Sequence, residues 1–183
     1  MKAVFTELVT FIKNPILQED LNKNFSYRLH KFKYVLFISM ITGLLLMPFF
    51  GLIEVLDLID MENHAMEKLM KEQSKLVIAF LAIIIAPLFE ELIFRGPLTL
   101  FKNSTAFKIA YYVFALLFGL VHITNFELTT AVVLLTPILV APQVILGLYL
   151  GFIRVRFGLA WSVCLHGLYN AFFIGFSLLE SNF

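Results

Sequence analysis

The chain has 183 residues, of which 60% are hydrophobic and only 15% charged, with a formal net charge of +1. A soluble domain carries about a quarter charged residues, so this composition excludes an ordinary water-soluble globule and points to an all-α polytopic transmembrane bundle. A near-neutral chain offers no electrostatic footprint for nucleic acid. The single cysteine, Cys164, excludes an intrachain disulfide, and its apolar surroundings read as those of a small buried residue.

Residues 1–33 form an amphipathic and basic N-terminal arm. Val4, Leu8, Phe11 and Ile12 recur there at helical spacing among Lys2, Glu7 and Lys13, and Asn14-Pro15 ends the run. The run is too short and too charged for a secretory signal. It predicts an interfacial amphipathic helix, either lying on the membrane surface or packed on the rest of the bundle. Residues 34–183 follow as one membrane domain, with no internal repeat, low-complexity linker or second domain. Five segments approach the roughly 20 apolar residues that a crossing needs: Tyr34–Ile53, Leu76–Leu100, Lys108–Ile123, Leu128–Ile153 and Gly158–Leu179. Pro137 and Pro142 predict a kink or break in the fourth.

With five crossings, Lys2, Lys13, Lys23, Arg28, Lys31 and Lys33 share a side with Lys102, Lys108, Arg154 and Arg156. Only Lys68, Lys71 and Lys75 stand opposite. The positive-inside rule then makes the N-terminus cytoplasmic and the C-terminus external, as in an integral protein of a bacterial-type inner membrane. The loop from Glu54 to Lys75 becomes external and acidic, through Asp57, Asp60, Glu62, Glu67 and Glu72, with His64 as a solvated residue.

Three patterns carry chemistry. In Glu90-Glu91-x-x-x-Arg95, the second acid and the arginine lie four residues apart on one helical face, in the favourable order for a pair. Glu90 points about 100° away and is left free. An ionised carboxylate deep in a bilayer costs several kcal/mol unless it is paired or faces water. A charged helix end at the interface is the plainer reading. Phe118 and His122 share a second face, where the plainer reading is a hydrogen-bonded structural histidine. His166 and Asn170 share a third, where it is an interhelical clamp. At 1.5 Å of rise per residue, Glu90, His122, His166 and Asn170 fall within a slab about 9 Å thick near the middle of the bilayer. Independent structural residues have no reason to agree in depth.

Glu-Glu-x-x-x-Arg, Phe-x-x-x-His and His-x-x-x-Asn, in this order on three helices, resemble the signature of the CPBP intramembrane proteases, also called the CAAX-protease or bacteriocin-processing (Abi) family. Phe94-Arg95-Gly96 and the glycines Gly147 and Gly151 also look like that family, and the resemblance covers a catalytic core of about residues 76–173. Members often carry more spans than five. The resemblance implies an intramembrane endopeptidase acting on a membrane-associated peptide or protein, with membrane lipid around it. Glu90 would activate a water held by His122, His166 and Asn170 would stabilise the oxyanion, and Glu91 and Arg95 would orient Glu90. This version needs no cofactor. A zinc-dependent version would use Glu90, His122 and His166 with an open fourth position, and Asn170 beside His166 suits an oxyanion hole better. A non-catalytic membrane scaffold or immunity protein is the alternative from another class. A small transporter would predict inverted repeats, and none is seen.

Overall fold

Side-chain caps mark where the helices begin. Asn24 accepts from the Tyr27 N–H, Ser74 from Val77, Asn103 from Thr105 and Ala106, and Thr129 from Val132, each satisfying backbone donors that a helix start leaves open. In the computed structural model, residues 2–60, 64, 65, 69 and 72–180 are described, with side chains to residue 176. The element order is α1 (Lys2–Lys13), α2 (Phe25–Val55), α3 (Lys75–Phe80), a π-helical segment (Leu81–Ile85), α4 (Ala86–Phe94), a 3-10 turn (Pro97–Leu100), α5 (Ser104–Val121), a second 3-10 turn (His122–Asn125), α6 (Thr130–Leu139), α7 (Ala141–Phe157) and α8 (Leu159–Glu180). No strand occurs among the described residues.

Five helical stretches are long and apolar enough to cross a bilayer: Phe25–Val55, Lys75–Leu100, Ser104–Asn125, Thr130–Phe157 and Leu159–Phe176. The fourth is broken at Val140, between Pro137 and Pro142, as the prolines predict. The first starts nine residues before Tyr34, so Arg28, Lys31 and Lys33 sit on helix rather than on a free arm. Arg28 is buried because it works as a clamp, donating to the carbonyls of Asn22, Asp20 and Phe157. Arg154 and Arg156 lie inside the last turn of α7, where cations complement the helix dipole. Gly158, with φ of +109°, then turns the chain into α8.

The amphipathic helix α1 is present, and of its two placements the buried face follows the second. Val4, Leu8 and Phe11 are buried in the main core, and Phe11 meets Tyr111 and Phe152 edge-on at 5.5 and 5.2 Å. Glu7 secures the edge of the same face, 2.7 Å from Lys31 and 3.6 Å from Arg156. Two expectations are corrected here. Cys164 is exposed on the outer face of α8, since the inward stripe of that helix runs through Ser162 and His166. His64 is not a solvated loop residue: its ring packs on Phe126 at 4.7 Å, and burial lowers its pKa. Glu62, Glu67, Lys68 and Lys71 lie outside the described residues.

Truncating Phe11 to Ala should lower unfolding stability in detergent by about 3 kcal/mol, the usual loss for a buried aromatic. Phe5→Ala, on the exposed side, should change it by less than about 0.5 kcal/mol; equal small effects would mean that α1 is not part of the core. A second expectation concerns Asp20. Burial raises its pKa, but hydrogen bonds from Lys31, the Asn22 N–H and Tyr27 outweigh this and hold it below the ordinary value of 3.8. A depressed carboxyl stabilises fully above its unfolded pKa, and that stability is lost as pH falls through the folded value. Limited proteolysis should therefore begin to cut residues 14–24 only below about pH 4, and earlier in Asp20→Asn.

Candidate active site

Close helix approach comes first, because the site is assembled from four helices. Facing α5 and α7 use small residues at their seam, as membrane helices do. A Cβ on Gly119 would clash with the Val144 side chain, and one on Gly147 would lie 3.2 Å from Ala115, from the Phe118 ring and from the Arg95 guanidinium. Gly147 thus leaves the room into which Arg95 extends. Arg95 is 1% exposed and stands 4.0 Å over the centroid of Phe118, a desolvated cation–π contact.

Glu91 is fully buried beside it, its Oε1 3.4 Å from Arg95 Nη1. Two further groups reach Glu91 from α8. The Ser162 hydroxyl is 2.5 Å from Oε2, and His166 Nδ1 is 3.2 Å from Oε1. Because an ionised carboxylate only accepts, His166 Nδ1 carries a proton, which turns Nε2 toward Glu90 Oε2 at 3.7 Å. His122 is fixed in the same way: its Nδ1 donates to the Phe118 carbonyl at 2.7 Å, so Nε2 is the nitrogen left open. The Phe118 ring contacts both imidazoles edge-on, at 5.0 and 5.5 Å.

Asn170 is placed by a break in the glutamate helix. The Ala86 N–H bonds back five residues to Leu81 in the π segment. The next rung of that ladder would run from residue 87 to Ala82, but Pro87 has no N–H. Asn170 Nδ2 supplies the missing donor to the Ala82 carbonyl at 2.8 Å, and its second N–H makes no hydrogen bond among the described residues. Gly167 permits the approach, since a Cβ there would lie 2.6 Å from the Ile83 carbonyl oxygen.

A cavity of about 460 Å³ is lined by Glu90, His122, His166 and Asn170, and its lining includes neither Glu91 nor Arg95. Glu90 Oε2 is buried and makes no hydrogen bond among the described residues. The two adjacent glutamates are therefore in different situations. One is held from three sides, and the other faces the cavity with an oxygen that accepts no hydrogen bond among the described residues.

The family model for type II CAAX prenyl endopeptidase, Rce1-like, matches residues 72–172, more than half of the chain. The chain belongs to the Rce1-like family. The match spans all three motifs, agreeing with the resemblance they carry, and supports a protease in general terms. With the five apolar helices, it makes the chain an integral membrane protein. No curated protein and no solved structure matches the chain. The donor set does not form a metal site in this arrangement: among the described residues no three His, Cys, Asp or Glu side chains converge closely enough to hold an ion.

Ser162 and Gln143 escaped the sequence reading. The first was visible in principle, because Ser162, His166 and Asn170 follow one another at four-residue steps on one stripe of α8. Gln143 lies on no motif and shows itself only as part of the cavity wall.

The division between the two glutamates is measurable. Arg95→Met leaves Glu91 buried without its countercharge and should cost about 3–5 kcal/mol in detergent unfolding. Glu90→Gln removes no hydrogen bond and should change stability by less than about 1 kcal/mol. The reverse ranking would assign the structural role to Glu90.

Proposed function

We propose that this member of the Rce1-like family is an endopeptidase that hydrolyses a peptide bond of a membrane-associated substrate within the bilayer, using Glu90 as the base. The observation that carries the reading is the buried Glu90 Oε2, which accepts no hydrogen bond among the described residues and lies 3.7 Å from His166 Nε2, on a cavity wall shared with His122, His166 and Asn170. A water between Glu90 and His122 would give one proton to the carboxylate and one hydrogen bond to the open Nε2 of His122. Its lone pair is then aimed at the substrate carbonyl. As the carbon–oxygen bond forms, Glu90 takes the proton, and it returns that proton to the amine nitrogen as the carbon–nitrogen bond breaks. His166 Nε2–H and the second N–H of Asn170 would receive the developing oxyanion. Glu91, Ser162 and Arg95 act on His166 and the helix backbone rather than on substrate.

For His166 to donate from Nε2 while Nδ1–H serves Glu91, the ring must carry both protons. Two carboxylates stand beside that ring, Glu91 Oε1 3.2 Å from Nδ1 and Glu90 Oε2 3.7 Å from Nε2. The same reading puts the N-terminus on the cytoplasmic side, supported by the gathering of Arg28, Lys31, Arg154 and Arg156 at one end of the bundle.

The test is cleavage of a prenylated peptide ending in Cys-a-a-X by purified protein in lipid nanodiscs. Glu90→Ala should reduce the rate by about 10²–10⁴-fold with the unfolding temperature unchanged, and a strong chelator should leave wild-type cleavage intact. Equal cleavage by the folded variant would sink the base assignment. Chelator inhibition reversed by zinc would replace the water-activating carboxylate with a metal.

A further inference from the structure

The cavity holds one more buried polar group without a partner. Gln143 Oε1 is shielded from solvent, makes no hydrogen bond among the described residues, and belongs to a side chain that lines the cavity. Its position follows from the α5–α7 seam. Along that seam Tyr111 meets Gly151, Ala115 meets Gly147, and Gly119 meets Val144, so the two helices run antiparallel in a fixed register. Gln143 is one turn before Gly147, and His122 is one turn after Phe118, which itself touches Gly147. Gln143 therefore stands level with Gly119 across the seam, about one turn short of His122 along α5, and both Gln143 and His122 line the cavity that Glu90 enters from α4.

A carboxamide has an acceptor and two donors on one plane, matching the groups of a peptide bond. That match matters in lipid. A substrate segment must be extended for its scissile bond to be attacked, and extended backbone within a bilayer has no water to satisfy its N–H and C=O groups. The protein has to supply partners, and Glu90, His122, His166 and Asn170 are committed to the bond being cut. Much of the remaining wall is apolar, including Met47, Phe50, Leu139, Leu146 and Phe173. We propose that Gln143 is a substrate-binding residue whose carboxamide pairs with the main chain of the peptide next to the scissile bond. This rests on the hydrolytic reading for its orientation, but the pairing itself is a binding property.

The experiment uses full-length protein carrying Glu90→Gln in lipid nanodiscs, so that binding is read without turnover. The probe is a fluorescent prenylated Cys-a-a-X peptide, together with a set of analogues in which one amide N–H at a time is replaced by an ester oxygen. Adding Gln143→Met should weaken binding of the all-amide peptide about tenfold. It should also leave the unfolding temperature equal or higher, since an unsatisfied polar group becomes apolar. One ester analogue should bind about tenfold less tightly to the Gln143 protein and lose nothing further with Gln143→Met. Undiminished binding with Gln143→Met, a lowered unfolding temperature, or the same further loss on every ester analogue would overturn the proposal. If binding depends on Gln143 while wild-type protein cleaves no peptide, the hydrolytic reading fails and the subsite stands.

Discussion

A carboxylate sealed from water must be answered inside the protein, and the answering of Glu91 organises this fold. Leaving an ion of that size unpaired in a low-dielectric interior costs several kcal/mol. Arg95 supplies the countercharge, which in turn requires the open side of Gly147 and the face of Phe118. Ser162 and His166 supply hydrogen bonds, which bring α8 against α4. Four helices are thus committed by one side chain. Arg154 extends the same logic to the turn beyond, donating to the Arg95 carbonyl and to Thr99, so the end of the glutamate helix cannot drift away from α7.

The π segment ties this frame to the cavity. A proline inside a membrane helix leaves a carbonyl without its donor, and lipid offers none. Here Asn170 meets the carbonyl of Ala82, so the residue that faces the cavity also repairs the helix opposite. Widened turns of this kind are frequent at functional sites. The reason is concrete in this chain: the extra residue in the turn sets where Ala82, Ala86 and Glu90 fall along the cavity wall. Geometry and backbone satisfaction are achieved by the same contact.

Much of this was legible because membrane helices obey few rules strictly. Span number follows from apolar length, the break at Val140 from two prolines, and the Glu91–Arg95 pairing from four-residue spacing. What was not legible is where several groups are satisfied in three dimensions. Arg28, Arg154 and Arg156 count as loop charges in a topology rule, yet they cap carbonyls and bridge helices, because long side chains reach where sequence position does not say. His64 read as solvated because its own loop is polar, and only Phe126, some sixty residues on, reveals its surroundings. Gln143 belongs to the same class: an ordinary polar residue becomes informative once its neighbours are apolar and its oxygen has no hydrogen-bond partner among the described residues.

The adjacency of Glu90 and Glu91 also has an electrostatic sense. Glu91 and Arg95 cancel in charge, so the sum over the site rests on Glu90, in a region where net charge is heavily penalised. Under the proposed mechanism, Glu90 becomes neutral as it takes the water proton, and the substrate oxygen acquires the negative charge that Glu90 gave up. The sum is unchanged. The charge has only moved across the cavity, past an imidazole that lies 3.7 Å from where it started. A low-dielectric site resists creating charge far more than it resists relocating it between fixed dipoles. Two glutamates are needed for this, because the one that holds Arg95 and orients His166 cannot be the one that gives its charge away.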